Sequence, residues 1–139
     1  MDKIQEMIAE AIENLKNSYA PYSHFNVSAV VLMSSGKTYS GVNVENSAFP
    51  VTSCAERSAL FHAVSEGERK LEKIVIVGGK NGVIDDYCMP CGMCRQAMRE
   101  FSNPQEMEVI IAKSIDDYKV FTLEELLPNS FGPEDLPRD

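Results

Sequence analysis

Cys54-Ala55-Glu56 and Pro90-Cys91-Gly92-Met93-Cys94 place three thiols and one carboxylate in two short segments far apart along the chain. A zinc ion that keeps one position open for water takes three protein ligands, and a hydrolytic site also needs a proton carrier close by. If Cys54, Cys91 and Cys94 share one ion, the fold must bring both segments together. A Cys-x-x-Cys pair alone is weak evidence, because redox and structural zinc sites share it. The pair combined with a distant Cys-x-Glu is specific.

The rest of the chain predicts a frame able to do this. Ile4, Met7, Ile8, Ala11, Ile12 and Leu15 recur at helical spacing, so residues 2–17 read as an amphipathic helix. The valine-rich stretch 26–33 reads as a strand, and Ser34-Ser35-Gly36 turns it into a second near 37–42. A helix is expected over 53–65, a buried strand over 73–78, and a helix from Pro90 to about residue 101. Strands near 108–113 and 118–121 follow. Thr122-Leu123-Glu124-Glu125 then has the capping-box form that opens a last short helix. The order α-β-β-α-β-α-β-β-α predicts an α/β fold, a three-layer α-β-α sandwich with a mixed five-stranded sheet, in one domain spanning residues 1–139.

Both ligand segments fall at expected helix N-termini, where the dipole and free N–H groups favour thiolates. Cys91 and Cys94 are three residues apart, so one face of the first turn presents both. Three thiolates overcompensate a dication. Arg57, next to the glutamate, is placed to offset this by donating to sulfur.

Competing readings exist for each residue. Ser53-Cys54-Ala55-Glu56 is itself a capping box, in which Glu56 would merely satisfy the Ser53 N–H. Cys88 could join Cys54, Cys91 and Cys94 in a closed four-thiolate structural site, although a loop position ahead of Pro90 puts it off their face. Cys91 and Cys94 could be a redox pair, but no thioredoxin-like βαβ start precedes them. His24 and His62 read as surface or packing residues. The scattered methionines read as core filling.

The net charge of −8 argues against polynucleotide partners, which need clustered Lys and Arg to neutralise phosphates. A small uncharged substrate fits better. No apolar run approaches a membrane span and the first residues lack a signal-peptide profile, so no membrane partner and a cytoplasmic location are expected. A reducing compartment also suits four cysteines kept as thiolates.

Beyond the cysteines, Tyr22-Ser23-His24-Phe25, Gly41-Val42-Asn43-Val44-Glu45-Asn46, Cys54-Ala55-Glu56-Arg57, Cys94-Arg95-Gln96 and the tail Ser130-Phe131-Gly132-Pro133-Glu134-Asp135-Leu136 occur in order. In these segments the chain resembles the small homotetrameric zinc-dependent cytidine deaminases, over nearly its whole length. That resemblance implies a cytidine deaminase-like fold and hydrolysis of cytidine and deoxycytidine to uridine and deoxyuridine, with release of ammonia, in pyrimidine salvage. It implies one zinc on Cys54, Cys91 and Cys94, with Glu56 moving protons from the attacking water to N3 and then to the departing amine. Asn43 and Glu45 would hold the ribose 3′-hydroxyl, and the Ala55 N–H the base carbonyl. Phe25 and Phe49 would line the substrate site.

Phe131 would stack on the pyrimidine from a neighbouring subunit, the tail from about residue 128 to 139 contacting that neighbour, with active sites shared between chains. Phe49 stands where the family often has tyrosine, Met93 where a small residue is usual, and Ser28 where glycine is common. A deaminase of cytosine-containing antibiotics would keep the zinc and Glu56 but alter Asn43, Glu45 and Phe131. A non-enzymatic zinc protein would need all four cysteines.

Overall fold

The computed structural model describes residues 1–137, so the last two residues of the expected tail, 138 and 139, lie outside the described residues. The elements run α1 (Lys3–Asn14), β1 (Phe25–Met33), β2 (Thr38–Val42), α2 (Ala55–Ser65), β3 (Leu71–Lys80), α3 (Gly92–Glu100), β4 (Glu108–Ser114), β5 (Asp117–Thr122) and α4 (Leu123–Leu126). Each expected element is present and in the expected order.

Alternation along β1 divides the core in two. Ala29, Val31 and Met33 point to one face of the sheet, where α2 and α3 supply Ala59, Leu60, Ala63, Cys94 and Met98. Val30 and Leu32 point to the other, where α1 covers them with Met7, Ile8 and Ala11. Burying side chains such as Met7 and Ile8 contributes roughly 1.5–3 kcal/mol each. The start of α1 is fixed by Asp2, which accepts from the Gln5 N–H at 2.9 Å while the Gln5 side chain accepts from the Asp2 N–H.

The strand order is β2-β1-β3-β4-β5, mixed as expected. β1 pairs antiparallel with both β2 and β3, β3 and β4 run parallel, and β4 pairs antiparallel with β5. β3 is buried from Ile74 to Gly79, as a strand covered on both faces requires. β5 carries Asp117 and Lys119 on an exposed edge, which discourages pairing with another sheet.

Gly41 decides how closely α2 approaches. A Cβ there would overlap the backbone of Ser58 and Ala59, so only glycine lets the helix rest on β2 at this depth. Beyond β2 the chain continues as an extended segment bridged on both sides. Val44 exchanges hydrogen bonds with Ser53 at 2.9 and 3.0 Å, while Tyr19 bonds to Asn43 and Glu45 across the other edge. That segment ties Asn43 and Glu45 to the start of α2.

Candidate active site

Both site helices start on a cysteine. Cys54 is the N-cap of α2 and Cys91 the N-cap of α3, each with extended backbone angles and neither side chain capping its helix. An oxygen side chain at such a position would turn inward to satisfy the first turn. The two sulfurs instead remain available, with the positive ends of two helices behind them. α3 therefore begins two residues later than expected from Pro90. The Pro90 carbonyl accepts from Arg95 Nε at 2.8 Å, and the first helical bond runs from the Arg95 N–H to the Cys91 carbonyl.

The sulfurs of Cys54, Cys91 and Cys94 all lie within 4.8 Å of one another, and no disulfide joins them. Tetrahedral zinc with bonds of about 2.3 Å holds two sulfurs about 3.8 Å apart. Cys54 Sγ and Cys91 Sγ are 3.9 Å apart. Distance and donor softness both fit one zinc per chain. Cys94 is fully buried, Cys54 half-buried and Cys91 exposed, so the cluster opens towards solvent on the Cys91 side.

Arg57 donates to Cys54 Sγ at 3.3 Å, the contact expected from sequence. The Cys54 thiol is drawn down to about 5, first by a hydrogen bond from Cys94 and then by Arg57. Cys94, as the donor in that pair and a buried group, is pushed up.

Glu56 is not a capping residue. The Ser53 N–H is already bonded to the Val44 carbonyl, so Glu56 is not needed to satisfy it. Its side chain turns inward and is 5% exposed. Burial pushes the carboxyl up to about 7, assisted by the negative charge of Cys54. Cys88 stays outside the cluster. Its sulfur sits against Gly78 of β3, and burial pushes its thiol up to about 12, so it is a packed neutral thiol and not a fourth ligand.

Tyr22, Ser23, Glu45, Phe49 and Thr52 line a cavity of about 310 Å³, Thr52 lying two residues before Cys54 in the chain. Glu45 accepts from the N–H groups of Tyr22 and Ser23 at 2.9 and 3.1 Å and from the Ser23 hydroxyl. Those donors hold its carboxyl below the usual range, the Ser23 hydroxyl foremost. Phe49 lies in a 3₁₀ turn, edge-on to Tyr22 with centroids 5.9 Å apart, and is 69% exposed.

Asn43 is largely committed to the fold. Its amide oxygen accepts from the Val27 N–H at 2.9 Å and from the Ser18 hydroxyl, and its nitrogen donates to the Phe25 carbonyl at 2.8 Å. Phe25 is exposed at the start of β1. Ala55 is buried as the first residue of α2, where an N–H has no intrahelical partner.

Phe131 does not join the other site residues directly. The tail folds back on α3 of its own chain, where Gln96 Nε2 donates to the Phe131 carbonyl at 2.9 Å and leaves the ring exposed. His62 is a surface residue packed edge-on to Tyr39, and His24 occupies a left-handed turn with φ of 59°.

Residue-by-residue reading of the sequence did not single out Tyr22, Ser23, Thr52 or Arg95 as site residues. Ser23 and Arg95 lie inside segments that were distinctive, but their partners, Glu45 and the carbonyls of Pro90 and Leu126, become visible only in three dimensions.

Known proteins resemble this chain in sequence and fold. The family model described as "Cytidine and deoxycytidylate deaminase zinc-binding region" matches residues 1–111. The cytidine deaminase of Sporosarcina psychrophila is 40% identical over 133 residues, covering 96% of this chain and 94% of that protein. That of Halalkalibacterium halodurans is 40% identical over 136 residues, covering 98% of each. The crystal structure of cytidine deaminase from Burkholderia pseudomallei superposes with a TM-score of 0.83 at 36% identity, over 94% of this chain and 100% of that one. Through that zinc-binding region and relatives matched along almost its whole length, the chain belongs to the cytidine and deoxycytidylate deaminase family.

Proposed function

We propose that this chain is a zinc-dependent hydrolase that converts cytidine and deoxycytidine to uridine and deoxyuridine, releasing ammonia. The observation that carries this reading is a buried carboxylate, Glu56, beside three unpaired sulfurs set at two helix N-termini. Cys54, Cys91 and Cys94 are the residues that would hold zinc. When bound, zinc supplies a Lewis acid that makes water a nucleophile near neutral pH.

The chain's own residues supply the rest. Glu56 takes one proton from the attacking water as the water oxygen bonds to C4, and delivers it to N3. It then moves the proton of the new C4 hydroxyl to the amine, so that C4=O forms as the C4–N bond breaks and ammonia leaves. A carboxyl raised to about 7 can both accept and release a proton at neutral pH. Arg57 draws negative charge from Cys54 and keeps the thiolate set from overcompensating the dication. The Ala55 N–H binds the base carbonyl. Phe25 and Phe49 border the base and sugar.

Glu45, preset by three donors from Tyr22 and Ser23, receives the ribose 3′-hydroxyl, with the remaining N–H of Asn43 beside it.

We further read the active form as a homotetramer in which Phe131 completes a neighbour's site. Support comes from the exposure of Phe49, Val51, Met93, Phe131 and Leu136, apolar side chains around the site and tail that one chain leaves uncovered. Four free cysteines suit a cytoplasmic role in pyrimidine salvage.

The test is to incubate purified, zinc-loaded protein with cytidine and follow loss of base absorbance together with ammonia release. Equal amounts of uridine and ammonia are expected. No turnover of either nucleoside by protein carrying one zinc per chain would overturn the reading.

A further inference from the structure

Among the described residues, nearly all the polar contacts that hold the tail to the rest of the chain come from one face of α3. Arg99 is 7% exposed. Its Nε donates to the Ser130 hydroxyl at 2.8 Å, and its terminal nitrogen pairs with the Glu134 carboxylate. Gln96, one turn earlier, donates to the Phe131 carbonyl. Gly132 lies flat against the guanidinium, and a Cβ there would overlap it.

Asn129 enters the segment through a left-handed turn with φ of 53°, and the Gly132 N–H is closed by Asp135 at 2.9 Å. Residues 130–132 are thus fixed one after another to a single helix. Phe131 and Leu136, by contrast, are 57% and 59% exposed.

A buried guanidinium bears a desolvation cost, offset only when its donors find good partners. Arginine's planar fork can serve Ser130 and Glu134 together while stacking on the Gly132 backbone. Lysine, a single point donor, cannot. α3 also carries Cys91 at its N-cap and Cys94 in its first turn. One short helix therefore sets both the sulfur positions and the place from which the Phe131 ring projects.

We propose that Arg99 is a positioning residue for substrate binding: it clamps residues 130–134 to α3 so that Phe131 is presented in one fixed pose to the nucleoside site it completes. This rests on the reading of Phe131 as a contact to the base. Arg99 itself touches no substrate. Its loss should leave the chemical step intact and weaken binding.

The experiment compares Arg99→Gln, Arg99→Lys, Gly132→Ala and Phe131→Ala in the full-length zinc-loaded protein. Readouts are kcat, KM for cytidine, zinc content and amide hydrogen exchange of residues 129–136. Arg99→Gln and Gly132→Ala should speed exchange in the tail but not in α3, and raise KM about tenfold, within the range of one lost base–aromatic stack. The kcat and the zinc content should hold, and Arg99→Lys should fall between. Adding Arg99→Gln to Phe131→Ala should change KM no further.

Should Arg99→Gln fail to fold, Glu134→Gln removes the ion pair from its exposed side and carries the same expectation. A loosened tail with unchanged KM, while Phe131→Ala raises KM, would overturn the proposal and leave the Phe131 reading standing. So would tail exchange unchanged by every clamp variant. An unchanged KM in Phe131→Ala would remove the aromatic contact itself, and the exchange data would show that this failure lies with Phe131 and not with the clamp.

Discussion

The metal end of the site and its recognition end are built on different terms. Cys54, Glu56 and Cys94 lie at helix N-termini, buried or half-buried, with the third sulfur of the cluster, Cys91, exposed, and all of them belong to one chain. Tyr22, Phe49 and Phe131 stand on loops or the tail and are each more than half exposed. The first group can be complete in a single subunit. The second has the character of a surface awaiting cover. On the proposed tetramer, chemistry depends on single atoms within the chain and affinity on how chains meet.

The largest expected effect tests the self-contained end. Glu56→Gln keeps the shape of the side chain but cannot carry protons. Turnover should fall by more than the roughly 10²–10⁴-fold typical of one acid–base step, with zinc still bound. Steady-state rates alongside metal analysis check this, and near-normal turnover in zinc-loaded protein would sink the assignment.

Cys91→Ala should abolish both metal and activity, since two sulfurs cannot replace three. Metal content after dialysis and circular dichroism would separate loss of zinc from loss of fold. Retention of stoichiometric zinc would refute a three-sulfur site.

Arg57→Ala reaches the metal only through Cys54, so a smaller loss of about 10–100-fold in metal affinity or rate is expected. Zinc competition titrations and kcat measure it. Unchanged values in both would leave Arg57 as a helix-surface residue.

Phe131→Ala moves to the open end. It should cost roughly 1–3 kcal/mol of cytidine binding and weaken subunit association, with little change in kcat. Mixing these chains with Glu56→Gln chains sharpens the contrast. If tails cross between subunits, mixed assemblies contain some sites with both residues intact, and activity rises above the sum. Demonstrated subunit exchange without that rise would return Phe131 to its own chain.

The smallest effect is expected at Cys88. Its thiol is neutral and packed against Gly78, so Cys88→Ala should keep one zinc per chain and nearly full activity, with stability lowered by about 1 kcal/mol for the lost packing. Metal loss as ready as in Cys91→Ala would make it a ligand after all.

The sequence by itself determined the element order, because each element carries its own local signal. Helical spacing from Ile4 to Leu15, the valine run of β1 and the Thr122–Glu125 box all mark structure without reference to distant residues. It also determined the ligand chemistry, since soft sulfur donors beside a glutamate have few other uses.

Tertiary structure alone decided the rest. Ser53-Cys54-Ala55-Glu56 has the letters of a capping box, yet Val44 satisfies the Ser53 N–H and frees Glu56 to turn inward, where burial raises its pKa. Cys88 keeps the same spacing from Cys91 as Cys94 does, yet it packs on β3 because it precedes the helix. Asn43 reads as a ligand for sugar, yet most of its hydrogen bonds serve Val27, Ser18 and Phe25. Arg99 is buried because Gly132 lets the tail close over it. Local propensity depends on neighbours in the chain. Burial and hydrogen-bond partners depend on neighbours in space, and those exist only once the sheet has brought the segments together.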